Sequence, residues 1–90
     1  MDSTKSIQVF GKVQGVWFRA STQKKALELG LVGFVQNRPD GSVYIEVEGE
    51  AAKVKQLVQW CHLGPKHARV GRVQVEGAEA KGYTDFQIIR

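Results

Sequence analysis

Apolar residues in this chain recur at every second position, then at every third or fourth, then at every second again, and the cycle repeats. A period of two buries one face of a strand, and a period of 3.6 buries one stripe of a helix. Lys5 to Lys12 reads as a strand, with Ile7 and Val9 on one face and Gln8, Phe10 and Lys12 on the other. Ala20 to Leu29 is dominated by Ala, Gln, Lys, Leu and Glu, and Thr22, Ala26 and Leu29 line a helical stripe that Gly30 can end. Gly33 to Arg38 follows as a second strand, with Phe34 expected in the core. Pro39-Asp40-Gly41 is a turn, because proline presets φ and glycine permits a left-handed position. Ser42 to Glu48 places Val43, Ile45 and Val47 on one face, so these two strands should form a hairpin. Glu50 to His62 spaces Val54, Leu57, Val58 and Cys61 as a second helix, stopped by Gly64-Pro65. Arg69 to Gly77 is strand-like through Val73 and Val75, and Thr84 to Ile89 is a last short extended segment with Phe86 and Ile88 on one face.

The order is β-α-β-β-α-β, with room for a short fifth strand. Two amphipathic helices on one face of an antiparallel sheet would bury all of these stripes, which makes a ferredoxin-like α/β (α+β) sandwich. No linker or repeat divides residues 1–90, and a chain this short builds one domain that buries roughly 60–65% of its extended surface. An apolar content of 42% argues against disorder. The single cysteine excludes an internal disulfide and a cysteine-built zinc site, and it fits a reducing, cytoplasmic compartment. Met1-Asp2-Ser3-Thr4 is no secretory signal, and no apolar run is long enough to span a bilayer. Thirteen Lys and Arg oppose nine Asp and Glu, a net charge of +4 that helps attract a small anion. The cations are scattered over Lys24-Lys25, Lys53, Lys55, Lys66, Arg69 and Arg72, and they read as solvated faces rather than a nucleic-acid footprint.

One stretch carries chemistry. In Phe10-Gly11-Lys12-Val13-Gln14-Gly15-Val16-Trp17-Phe18-Arg19 a strand meets two glycines and ends in an arginine where the first helix begins. Gly15 lacks a Cβ, so a ligand can approach the backbone and successive N–H groups can converge on an anion. The free N–H groups of the helix start add to the same field. Arg19 can grip a phosphoryl group with two parallel hydrogen bonds. The bare spacing fits equally well a glycine-relieved turn followed by a surface arginine. It is not a Walker A loop, since the Gly-Lys-Ser/Thr ending is missing. Asn37, before Arg38-Pro39-Asp40-Gly41, either closes the turn or holds a water through its amide oxygen and nitrogen. Trp17 either flanks the mouth of such a pocket or covers the core edge, and Trp60 sits at the margin of its helical stripe. Cys61 falls on that stripe and reads as core. His62 and His67 have no metal-pair spacing, and Glu46, Glu48 and Glu50 read as solvent face. No metal or other cofactor is expected.

Gly11 to Arg19 resembles the phosphate-loop signature of acylphosphatases. Gly33-Phe34-Val35-Gln36-Asn37-Arg38-Pro39-Asp40-Gly41-Ser42-Val43, followed by Gly49, resembles their second signature, and Tyr83-Thr84-Asp85-Phe86-Gln87-Ile88 resembles their closing segment. The resemblance covers nearly the whole chain. It implies an enzyme that hydrolyses small acyl phosphates to a carboxylate and inorganic phosphate, with product phosphate competing for the site; no ligand cluster calls for a metal, and so small a chain with no extra apolar face is expected to be a monomer. It assigns phosphate binding to Arg19 and to the backbone of Gln14, Gly15, Val16, Trp17 and Phe18, and water orientation to Asn37. Two other readings share this element order: an RNA-binding module, for which the third strand has one aromatic and two acids on its outward face, and a protein-interaction domain.

Overall fold

Val43, Ile45 and Val47 are fully buried, and the strand that carries them, β3 (Val43–Glu50), is the centre of the sheet. The computed structural model describes residues 2–89; Met1, which opens the segment judged not to be a signal, lies outside them. The elements are β1 (Asp2–Lys12), α1 (Phe18–Glu28), β2 (Val32–Asn37), β3, α2 (Ala51–Leu63), β4 (Arg69–Gly77) and β5 (Phe86–Ile89). The strand order is β4-β1-β3-β2-β5. β3 pairs antiparallel with both β1 and β2, and β4 pairs antiparallel with β1. β5 lies parallel to β2, so this short fifth strand makes the edge of an otherwise antiparallel sheet mixed. The ferredoxin-like βαββαβ core is complete without β5, which extends one edge.

Both helices cover one face. Ile7 and Val9 of β1, Val35 of β2 and the three β3 residues meet Phe18 and Ala26 of α1 and Val54, Leu57 and Cys61 of α2. Each Val, Leu, Ile or Phe among them contributes about 1.5–3 kcal/mol on burial. Thr22 occupies a fully buried position on α1 because its hydroxyl donates to the Phe18 carbonyl at 2.8 Å, leaving no unmet donor. Trp60 packs its ring against Phe18 at 5.4 Å between centroids, at the margin of the core as expected. Cys61 is buried, and burial pushes its thiol up to about 12, so it is an inert part of the core.

Phe34 is not a core residue. Val35 takes the buried position, and the two-residue period turns Phe34 to the open face, against Tyr44 at 5.9 Å and Tyr83 at 6.0 Å. β1 also begins at Asp2 rather than Lys5. Its polar start has no apolar alternation and becomes strand because Asp2, Ser3 and Thr4 pair with Glu50, Gly49 and Glu48. On the open face Glu46 accepts hydrogen bonds from Tyr44 at 2.8 Å and Tyr83 at 2.7 Å, with the Lys81 ammonium 3.7 Å away. Burial pushes the Glu46 carboxyl up, but these donors outweigh it and hold it below its ordinary value. The cluster ties the segment before β5 to the sheet.

Candidate active site

β1 and β2 both run antiparallel to β3, so they run parallel to each other and finish at the same end of the sheet. Val43 is the register partner of both Val9 and Asn37. Asn37 therefore lies level with Val9, two strand spacings or about 10 Å away. The chain leaving β1 must turn back across the end of β3 to come near it. A bulge makes the turn: the β1–β4 register shifts between Phe10 and Gly11, and Gly11 has φ +126° where a Cβ would strike the Arg69 carbonyl. Val13, Val16 and Phe18 then anchor the loop in the core, and Gly15 and Trp17 are left between these anchors on the outside.

Gly15 has φ 72° and Trp17 φ 66°, while Gln14 and Val16 between and before them keep negative φ. Alternation of sign turns successive N–H groups towards one concave side, the geometry of an anion nest. Trp17 is also the N-cap of α1 and provides no side-chain cap, and the first turn holds no acid. Its carbonyl takes the first helical bond, from the Ser21 N–H at 2.9 Å. The N–H groups ahead of Ser21 are those a helix leaves unpaired, and they add partial positive charge there.

These groups border a cleft of about 340 Å³. Gly15, Trp17, Phe18 and Arg19 line it from the loop and helix start, Asn37 from the end of β2, and Val13, Ala20 and Ile88 complete its walls. Arg19 is the one charged side chain among them, and no carboxylate among the described residues lies within ion-pair distance of it. Asn37 has a buried Oδ1 with no hydrogen-bond partner, a condition that costs about 1–3 kcal/mol. Arg38 is turned out of the site, its guanidinium 4.1 Å above the Tyr44 ring.

Of the loop residues read from sequence as the cradle, Gln14 and Val16 do not line the cleft with their side chains. Val16 packs into the core, and Gln14 does something the sequence did not reveal. Its Nε2 donates to the carbonyls of Arg38 at 2.8 Å and Ser42 at 2.9 Å. The loop is thereby pinned to the hairpin that carries Asn37. That hairpin is itself closed by Arg38 N–H on the Ser42 carbonyl at 2.9 Å, and by the Ser42 N–H and hydroxyl on Asp40 Oδ1 at 2.9 and 2.6 Å. The Ser42 hydroxyl and amide hold the Asp40 carboxyl below its ordinary value. Gln8 of β1 donates to the Ser42 hydroxyl at 2.9 Å and ties the same turn to the sheet. Glutamine in a glycine-rich loop gives no local sign of such a role, because its partners lie 24 and 28 residues away.

The fold is a ferredoxin-like sandwich in which the first loop, the first helix and the second strand converge on one cleft that holds a single charged side chain. A sequence model of the acylphosphatase family matches residues 5–88. An acylphosphatase of Rubrobacter xylanophilus is 53% identical over 81 residues, covering 88% of this chain and 74% of that protein. The structure of an acylphosphatase from Coxiella burnetii superposes with a TM-score of 0.95 at 39% identity, covering 98% of this chain and 93% of the other. The acylphosphatase of Bacillus subtilis superposes equally well, at 0.95 and 33% identity over the whole of both chains. The chain belongs to the acylphosphatase family, and its reaction is hydrolysis of an acyl phosphate to a carboxylate and inorganic phosphate.

Proposed function

We propose that Arg19 and the backbone amides from Gln14 to Phe18 hold the phosphoryl group and that Asn37 orients the attacking water. The observation that carries this is the meeting of Arg19 and Asn37, from different elements, in one cleft beside the nest. An acyl phosphate is a mixed anhydride, and its carboxylate leaves without needing a proton. The protein's task is to position the reactants and balance charge on the equatorial oxygens. The Arg19 guanidinium and the loop N–H groups do both. Asn37 Oδ1 accepts a hydrogen bond from the water and so ends its own lack of a partner. An amide is no base near neutral pH, so the water's proton passes to a phosphoryl oxygen as the new P–O bond forms and the acyl C–O–P bridge breaks at phosphorus.

Among the described residues no three His, Cys, Asp or Glu side chains come together as a metal site, and His62 and His67 are exposed. Among them also no helix is long and apolar enough to cross a membrane. We read residues 1–90 as one catalytic domain, working as a cytoplasmic monomer, a reading that the free thiol of Cys61 and the scattered placement of exposed Leu27, Leu63 and Val75 support. The RNA-binding alternative finds no support: the aromatics of the open face stand among Glu46 and Glu48 and carry Arg38 and Arg72 stacked on Tyr44 and Phe10. The test is hydrolysis of acetyl phosphate in EDTA, with inorganic phosphate as competitive inhibitor. Arg19→Ala should lower kcat/KM on the order of 10²–10³-fold, the usual loss on removing a donor to transition-state charge. Undiminished turnover in a folded Arg19→Ala protein would remove Arg19 from the mechanism.

A further inference from the structure

Trp17 is the anomaly of the site. It is the one residue other than glycine with positive φ among the described residues, a conformation that costs a bulky side chain about 1–3 kcal/mol. It is also 79% exposed, the most exposed large apolar side chain described. Its neighbours Val16 and Phe18 are both buried, so the loop could cover its own anchors without an indole here. Glycine would meet the backbone requirement at no strain. What the indole does have is a place on the wall of the cleft, with Val13, Phe18, Ala20 and Ile88 as the other apolar walls. The cleft of about 340 Å³ is larger than a phosphoryl group fills, and Arg19, the role of which is proposed above as phosphate binding, is the one charged side chain that lines it.

We propose that Trp17 and these walls form a subsite for the acyl group, and that the subsite selects uncharged, apolar or aromatic acyl phosphates over small or anionic ones. This rests on the acyl phosphate reading of the same cleft. An aromatic acyl group stacks on the exposed indole face, and the walls shed water as it enters. A second carboxylate or phosphate on the acyl side finds no second cation to receive it.

The experiment compares kcat/KM for benzoyl phosphate and acetyl phosphate in the wild type, Trp17→Gly and Trp17→Phe. Glycine accepts the native φ, so Trp17→Gly should fold, and circular dichroism confirms that it has. The benzoyl-to-acetyl ratio should fall about three- to tenfold in Trp17→Gly, the worth of one aromatic contact, and Trp17→Phe should recover most of it. The change should appear mainly in KM for benzoyl phosphate, read as a ratio to acetyl phosphate in the same variant, so that any loosening of the loop backbone, which both substrates share, cancels. A ratio that stays within twofold of wild type in folded Trp17→Gly overturns the subsite while leaving acyl phosphate hydrolysis in place. A wild-type protein that hydrolyses neither compound overturns the underlying reading, and the subsite with it.

Discussion

Replacing Gln14 with leucine keeps most of the side-chain bulk and removes both hydrogen bonds that join the phosphate loop to the hairpin of Asn37. Each bond contributes about 0.5–1.5 kcal/mol net. The loss should fall in the lower part of the summed range. The Arg38 carbonyl keeps the Gly41 N–H at 3.1 Å, the Ser42 carbonyl keeps the Arg38 N–H at 2.9 Å, and neither is orphaned. A destabilisation of about 1–2 kcal/mol follows, which lowers Tm by about 4–8 °C per kcal/mol in a domain of this size. Activity should suffer more than stability. Val13, Val16 and Phe18 still hold the loop itself, so the cradle and Arg19 keep their mutual geometry. The position of Asn37 relative to that cradle is what loosens, and a misplacement of about 1 Å in a reacting group can cost about 10²-fold. In assays well below the variant's Tm, kcat should drop at least about tenfold, while the inhibition constant for inorganic phosphate moves much less. A variant with lowered Tm and wild-type kcat would refute the positioning role and leave Gln14 as a structural clasp.

Asn37→Ala should abolish most activity without lowering Tm, and Tm should rise, because the substitution removes a buried oxygen that has no partner; thermal melts and turnover on one preparation decide it. Glu46→Gln should lower Tm at neutral pH. Glu46 titrates below its ordinary 4.5 in the native protein, so its contribution is complete above that value and disappears as pH falls through the native value; the gap to wild type should close in acid. Tyr83, pushed from 10.0 up to about 12 by burial and by its bond to Glu46, contributes fully below pH 10 and loses that contribution as pH approaches 12, so Tyr83→Phe melts should converge on wild type over that interval. Arg19→Glu should remove phosphate inhibition and raise stability by about 0.3–1 kcal/mol, since it trades a cation for an anion in the first turn of α1; a lower Tm would show that Arg19 makes a structural contact.

Elements whose apolar residues keep a clean period are legible in the sequence. β3 and α2 were legible from Val43, Ile45 and Val47 and from Val54, Leu57 and Cys61, because each packs against one continuous core. Features set by partners distant in the chain are not legible there. Phe34 is aromatic in a strand, which favours burial on composition alone, yet Val35 beside it holds the core position and leaves Phe34 to Tyr44 and Tyr83. Asp2 to Thr4 have no strand pattern of their own and are strand because β3 extends to Glu50. β5 owes its parallel setting to β2, and the Gly33 N–H on the Asp85 carbonyl at 2.8 Å fixes where it starts. In the site, glycine spacing and Arg19 were visible locally, whereas the Gln14 clasp exists only once the hairpin folds beside the loop.

The departures from local rule in this chain are concentrated at one place. Trp17 adopts a left-handed conformation, Asn37 leaves a buried oxygen unpaired, and α1 begins with a cation and with neither an acid nor a side-chain cap. Each is unfavourable to the isolated fold, and all three border the same cleft. Elsewhere buried polar groups such as Thr22 and Ser42 are bonded, and the sheet and helices follow their expected patterns. An anion carrying a bound water relieves two of these costs together, by taking the free N–H groups and Arg19 and by giving Asn37 its partner. On the proposed reading, substrate is not only held by the loop but completes it. Phosphate, which can occupy the same nest, should stabilise the protein against heat in proportion to its occupancy, and that gain should be lost with Arg19.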